Sequence, residues 1–485
     1  MKYPAVQNYI NGAFVNASSA RSLPVTSPVD GNLLSEVPMS AAKDLDAAVK
    51  AAKSAFGAWS KTPIKERVQV FFRYKYLLEK NLKELAELVQ EENGKTYSEA
   101  VAEIEKSIEL TEFAVSLPQL VTGEVLEVSK GVECRTEHVP LGVVASIVPF
   151  NFPSMVPNWT LPNAIALGNC MIIKPSEKVP LSCGRLAQLL KEAGLPDGVF
   201  NIVHGDSEIV TAICDHPGIE AVSFVGSTKV AKIVYQRATS NYKRCLALGG
   251  AKNHLMVLPD AIPAMTAQNV AASMSGCAGQ RCMAASAMVG VGNIDHIIDK
   301  ICEEARKIIP GENLGAVISK ESKERIERFI GEAEKDGAKI LVDGRNTKVK
   351  GKENGTYVGP TVIDYVKPNM SVATEEIFGP VISIMRTNTV DEALAIENAN
   401  PYGNAASVFT QNGGMARYII DRASAGMIGV NVGVPVPREP FSFGGWNESK
   451  FGVGDITGKS SIEFWTKLKK STTKWNPEAG VNWMS

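Results

Sequence analysis

From Pro140 onward, short apolar runs alternate with amphipathic stretches of helical spacing, and this alternation limits the fold more than any other feature of the chain. The runs predict strands at 142–148, 169–173, 200–203, 221–225 and 245–248, with helices at 180–193, 206–214 and 228–239. Strands separated by helices of this length run parallel, because each crossover returns the chain to the same end of the sheet. Such a sheet is covered by helices on both faces and binds ligands outside the carboxyl ends of its strands. The loops after the strands are therefore where chemistry is expected. A second series follows Lys252, with strands at 255–258, 287–291, 339–342, 381–385 and 407–410 and helices at 263–274, 320–335 and 390–398. It predicts a second α/β domain.

Residues 1–40 read as extended and turn-rich, with Asn11-Gly12 at a hairpin-type turn. Ser40 is the expected N-cap of a helix carrying Leu45, Ala48, Val49, Ala52, Phe56 and Trp59 at helical spacing. Thr62-Pro63 opens a second helix, Asn93-Gly94 ends the helical stretch after it, and 98–117 is helical again. The Gly/Lys/Asn-rich stretch 346–356 reads as a surface loop.

Charge and cysteine usage narrow the class. Lys and Arg total 51 against 52 Asp and Glu, with no basic block, which argues against nucleic acid as a partner. The 8 cysteines form no CxxC and the 5 histidines no HxxxH or HxH, so no metal site is expected and the thiols read as reduced. No apolar run approaches the roughly 18 residues of a membrane span. No export signal is apparent at the start, so the expected compartment is the cytoplasm.

Four short stretches are candidates for chemistry. In Ser275–Ala284, small residues surround Cys282, which reads as a nucleophile, and Arg281 beside it is expected to favour the thiolate. Asn151, between two prolines after a predicted strand, can present its amide as an oxyanion donor. Lys174 and Glu177 follow another strand, where ribose hydroxyls could lie. Gly226-Ser227-Thr228 opens a helix whose free N–H groups suit a phosphate. Each has a structural alternative from its own stretch: a buried thiol, a turn asparagine, a helix entry capped by Ser176, and an ordinary Ser N-cap.

Taken together, these stretches resemble the aldehyde dehydrogenase superfamily across nearly the whole chain. The matching runs are Pro149–Pro153, Lys174–Glu177, Phe224–Thr228, Gly279–Cys282, Glu375–Val381, Tyr402-Gly403 and Pro440–Gly445. The resemblance implies an α/β fold with a Rossmann-type cofactor domain (1–117 and 141–252), a catalytic domain (253–463) and a β oligomerisation arm (118–140 and 464–485) that makes a homo-oligomer, dimer or tetramer. It implies that Cys282 attacks the aldehyde and that Asn151 and the Cys282 N–H hold the oxyanion. Lys174 and Glu177 would hold the adenine ribose, Ser227 the pyrophosphate and Glu376 the nicotinamide ribose, with Phe378 and Phe150 also at the cofactor. The Glu177 carboxylate would repel a 2′-phosphate, which favours NAD over NADP. The usual second glycine after Gly-Ser-Thr is Ala231 here. In the arm, Ile462, Phe464 and Trp465 are expected in a strand that pairs with another subunit.

One departure bears on the reaction. Most of the superfamily carries a Glu, the base for thioester hydrolysis, where this chain has Ala247 or Leu248. Gly250–His254 reads Gly-Ala-Lys-Asn-His, which resembles the coenzyme A-acylating methylmalonate-semialdehyde dehydrogenases, as do Gln280–Ala284 and Asn151–Pro157. Water, with a pKa of about 15.7, needs a base to attack a thioester, whereas a thiol, at around 8.5, does not. The expected function is NAD-dependent oxidation of a small acidic aldehyde with transfer of the acyl group to coenzyme A. Arg281, Lys106 and Arg438 are the expected contacts of the acidic group, Lys106 standing where the family has Arg. The alternatives are a non-acylating dehydrogenase of another acidic aldehyde, such as sulfolactaldehyde or succinate semialdehyde, and a non-catalytic protein that keeps the fold.

Overall fold

The computed structural model describes residues 1–475. Part of the expected arm, 476–485, lies outside the described residues. The first large sheet runs, in spatial order, Ala13–Val15, Asn8–Ile10, Phe200–Ile202, Cys170–Lys174, Val143–Ile147, Ala221–Val225, Arg244–Leu248 and Lys450–Phe451. Its five central strands are parallel. Both Val143–Ile147 and Cys170–Lys174 are buried throughout, which is why they read as continuous apolar runs. The chain winds outward from Val143–Ile147 in one direction, then returns to its other side with Ala221–Val225. Connections leaving in opposite directions open a crevice at the carboxyl ends of those two strands.

The edges of this sheet are antiparallel. Asn8–Ile10 and Ala13–Val15 form a hairpin through Asn11 (φ 53°) and Gly12 (φ 78°), the left-handed pair that a two-residue hairpin needs. At the far edge, Lys450–Phe451 pairs with Ala247 and Leu248. A stretch that the sequence places with the catalytic domain thus completes the first sheet.

The second sheet runs Lys339–Val342, Thr361–Asp364, Val381–Thr387, Ala285–Val291, Asn253–Val257, Ala405–Phe409 and Met427–Val430. Only the pairing of Lys339–Val342 is antiparallel. Helices Lys320–Lys335 and Val390–Asn398 have the predicted bounds. Helix Met155–Ala166 lies outside the prediction. It carries Pro157 and Pro162 and is buried from Val156 to Ala166, so it offers neither a polar face nor a helical period to read.

Two expectations fail locally. Ser40 does not cap the first helix, which spans Ala42–Trp59. Its hydroxyl accepts from Asn8 Nδ2 at 2.9 Å, and the Asp44 carboxylate takes the Ala41 N–H instead, at 2.8 Å. Ile462, Phe464 and Trp465 are not in a strand but in helix Ser460–Trp465, where all three are buried. Large apolar side chains on successive turns are covered by the chain's own core there. The strand begins one residue later, at Thr466, and pairs antiparallel with Val132–Pro140 of the same chain, which in turn pairs with Val125–Ser129.

Candidate active site

Three loops at the carboxyl ends of the first sheet line one side of the crevice. After Val143–Ile147, Asn151 is buried and its Nδ2 donates to the Gln280 carbonyl at 2.9 Å. After Cys170–Lys174, the buried Lys174 ammonium donates to Pro175 O at 2.6 Å and lies 3.4 Å from Glu177 Oε2. Burial holds this ammonium below its ordinary pKa. Ser176 does not cap the next helix, Leu181–Glu192; the Glu92 carboxylate accepts the N–H groups of Leu181 and Ser182 at 2.8 and 2.9 Å. After Ala221–Val225, Ser227 is the N-cap of helix Thr228–Ser240, and its hydroxyl makes no capping bond. Ala231 is fully buried in that helix and makes its regular bond to Ser227 O at 2.8 Å.

The segment that carries Cys282 comes from the other end of a strand. Helix Pro263–Ser275 gives way to Gly276–Gly279, with Cys277 (φ 51°) and Ala278 (φ 53°) left-handed, before strand Ala285–Val291 begins. Cys282 therefore sits at the amino end of the second sheet, not after a strand as the fold rule predicts. Left-handed backbone costs roughly 1–2 kcal/mol per residue that carries a Cβ, so the segment must be held. Glu99 Oε1 accepts the Cys277 N–H at 2.6 Å, and Gln280 Oε1 accepts that of Ile318 at 3.0 Å. Asn253 Nδ2 donates to the carbonyls of Cys282 (2.8 Å) and Ala284 (2.9 Å), and Asn404 Nδ2 donates to Cys282 O at 2.8 Å. Sequence reasoning misses these two amides as site residues. Asn253 stands inside the Gly-Ala-Lys-Asn-His run, and Asn404 only follows Tyr402-Gly403.

Electrostatics correct one expectation. Burial pushes the Cys282 thiol up to about 12, and the nearby Glu376 carboxylate pushes the same way. The Cys282 backbone N–H and Arg281 pull down, without prevailing. Arg281 is turned elsewhere: its Nε donates to Cys277 Sγ at 3.3 Å and its Nη2 lies 3.6 Å from Glu99 Oε1. Burial likewise raises Glu376 to about 7, against the Ala251 N–H that it accepts at 3.0 Å. Lys252, buried and bonded to Ser286 Oγ at 2.9 Å, is lowered to about 7 by burial, against the pull of Glu376 and Glu375.

Most of the expected site residues share one cleft of about 610 Å³. Asn151, Cys282, Lys174 and Glu177 line it, and so do Ser227, Glu376, Phe378 and Phe150. The two phenylalanine rings meet edge to face at 5.8 Å. Arg281 borders a narrow recess that shares Cys282, Glu376 and Phe378 with the cleft. Lys106 is ion-paired with Glu439 at 2.6 Å, Arg438 is exposed, and neither is among the residues lining the cleft. Ala247 and Leu248 are buried and do not reach it either.

The family model for aldehyde dehydrogenases matches residues 14–471. The chain belongs to the aldehyde dehydrogenase family. Among curated aldehyde dehydrogenases it is 44% identical over 479 residues to malonate-semialdehyde dehydrogenase 1 of Geobacillus thermodenitrificans, covering 97% of this chain and 99% of the relative. It is 43% identical over 482 residues to the mitochondrial methylmalonate-semialdehyde/malonate-semialdehyde dehydrogenase (acylating) of Rattus norvegicus, covering 98% and 90%. Among solved structures, one from Sinorhizobium meliloti 1021, provisionally described as a methylmalonate-semialdehyde dehydrogenase and complexed with NAD, superposes with a TM-score of 0.96. It is 40% identical and covers 98% of this chain and 99% of its own. In this aldehyde dehydrogenase, two sheets bring a thiol, an amide donor and a helix N-terminus to one cleft.

Proposed function

We propose that this chain oxidises a small acidic aldehyde of the methylmalonate- or malonate-semialdehyde type with NAD and passes the acyl group to coenzyme A. The end of strand Arg244–Leu248 carries this reading. Ala247 and Leu248 stand where the family resemblance expects a carboxylate, and both are buried and apolar. With neither able to activate water, a thiol nucleophile is the natural acceptor. The names of the Geobacillus and rat relatives support the same substrate class, and the rat name an acylating reaction.

The cleft residues fit NAD. The first N–H groups of helix Thr228–Ser240 and the uncommitted Ser227 hydroxyl suit a pyrophosphate, and Lys174 with Glu177 suit the adenine ribose. Glu376 would hold the nicotinamide ribose, with Phe378 and Phe150 beside it. NAD, when bound, supplies the hydride acceptor. Cys282 adds to the carbonyl carbon as the thiolate, its proton released to solvent. The second N–H of the Asn151 amide and the Cys282 backbone N–H stabilise the oxyanion. Oxidation leaves a thioester on Cys282, and the coenzyme A thiolate attacks its carbon and expels the Cys282 sulfur. Arg281 is the cation proposed for the substrate's acid group, since its contacts to Cys277 and Glu99 leave guanidinium donors over. Lys106 and Arg438 are proposed further out.

The first sheet and its helices are read as the cofactor domain and the second as the catalytic domain. The three-stranded sheet is read as the oligomerisation arm of a homo-oligomer, dimer or tetramer. Val125, Leu126 and Val128 on its outer strand are exposed, which supports that reading. All eight cysteines are free thiols, which supports the cytoplasm.

The test is steady-state NADH formation from methylmalonate, malonate and succinate semialdehydes, sulfolactaldehyde and propanal, each with and without coenzyme A. Coenzyme A-dependent turnover with an acyl-coenzyme A product is expected. NADH formation indifferent to coenzyme A, with free acid as product, would overturn the acylating reading.

A further inference from the structure

The corner between helices Leu82–Asn93 and Tyr97–Leu120 has no part in the reaction described above, yet it reaches the loop that carries Asn151. Gly94 ends the first helix in the left-handed conformation (φ 90°) and turns the chain so that the next side chain points inward. Lys95 and Glu103 are both fully buried at their side chains and are paired at 2.5 Å. Neither spends its bonds on the other alone. Lys95 Nζ also donates to the Asn151 carbonyl at 2.9 Å and lies 4.2 Å from the Phe152 ring centroid. The other Glu103 oxygen accepts the N–H groups of Ser154 (2.8 Å) and Met155 (3.0 Å). Asn93 Nδ2 donates to the Phe150 carbonyl at 2.8 Å. Backbone groups on both sides of the Asn151 side chain are thus fixed by three polar side chains from one corner.

A buried charge pair is a costly way to stabilise a fold, and a well-packed apolar pair of similar volume often does as well. Its use here is geometric. An oxyanion donor must be held within roughly 0.5 Å of its working position, and a loop holds its groups less closely than a helix or strand does.

We propose that Lys95 and Glu103 are positioning residues that act through Asn151, by fixing the backbone from which its amide reaches the reacting carbonyl. This rests on the reading of Asn151 as oxyanion donor. The experiment is a double-mutant cycle on the full chain, read as single-turnover NADH formation at saturating NAD with propanal, which makes no demand on the anion contacts. Asn151→Ala is expected to lower the rate by about 10²–10³-fold. Lys95→Met is expected to lower it by about 10²-fold, with the dissociation constant for NAD unchanged. In the Asn151→Ala background, Lys95→Met should change the rate by no more than about twofold, because the group it positions is gone. Glu103→Gln keeps the shape and should show the same loss of effect; with Asn93→Ala it carries the cycle if Lys95→Met does not fold. A Lys95 or Glu103 effect that is equally large with and without Asn151, or no effect at all, would overturn the proposal. An Asn151→Ala rate equal to wild type would instead remove the oxyanion reading, and the proposal with it.

Discussion

The two large sheets meet the cleft with opposite ends, and their loops are finished differently. Loops at the carboxyl ends of the first sheet lead into helix N-termini. Carboxylates close two of these N-termini, Glu103 at Ser154 and Met155 and Glu92 at Leu181 and Ser182, whereas that of Thr228–Ser240 has N–H groups to spare and Ser227 leaves its hydroxyl uncommitted. The segment that carries Cys282 arrives at the amino end of its strand, after a helix C-terminus, and so brings carbonyls that need donors. Asn253 and Asn404 supply them, both to the carbonyl of Cys282 itself. On the proposed reading, the polar groups that would meet a diffusible cofactor are left open at Ser227, and those around the proposed nucleophile are closed within the chain. An unsatisfied buried carbonyl costs about 1–3 kcal/mol, so the closed side is also the side least tolerant of change.

Three measurements can break or sharpen this contrast. The largest effect is expected from Asn253→Ala combined with Asn404→Ala. Single-turnover NADH formation should fall about 10²-fold while the dissociation constant for NAD, read by fluorescence titration, stays within about twofold. A parallel loss of NAD binding would erase the distinction between the two sides. Next is the pH dependence of Cys282 alkylation by iodoacetamide without cofactor. The thiol is raised to about 12, so the neutral form prevails at lower pH and reactive thiolate grows as pH rises. The rate should climb about tenfold per pH unit between about pH 7 and pH 10. A plateau inside that window would mean that the sulfur is held as thiolate by its surroundings. The smallest effect belongs to the open side: Ser227→Ala should raise KM for NAD about threefold and leave kcat unchanged.

What the sequence discloses follows the same division. Strands such as Ala221–Val225 and helices such as Lys320–Lys335 were legible because burial on two faces or on one stripe writes a local pattern. The open loops were legible too, since Ser227 and Lys174 follow strands in the order that parallel sheets use. Helix Met155–Ala166 was not, because complete burial removes the period and its two prolines point to a loop. The left-handed turn at Cys277 was not, because nothing local requires it; Glu99, far away in sequence, holds it. Arg281 was legible in part. Adjacency in sequence gave the direction of its pull on Cys282, but burial prevails, and its side chain folds across Gly276, where a Cβ would meet Arg281 Nη1 at 2.1 Å. Lys95 and Glu103 carry no local signal of their targets.

The pairing of Thr466–Lys474 with Val132–Pro140 has a consequence for how the molecule is made. The two strands are separated by most of the chain, and Arg244 locks the approach to the second by donating to the carbonyls of Glu463, Phe464 and Thr466. During synthesis, Val132–Pro140 emerges early and waits with one edge bare until Thr466–Lys474 leaves the ribosome. At about 5–20 residues per second the wait is roughly 20–60 seconds. For that interval the nascent chain presents a strand edge open to any neighbour. The alternation of Glu133, Arg135 and Glu137 along it is then a safeguard for the unfinished chain as much as a surface for the finished one.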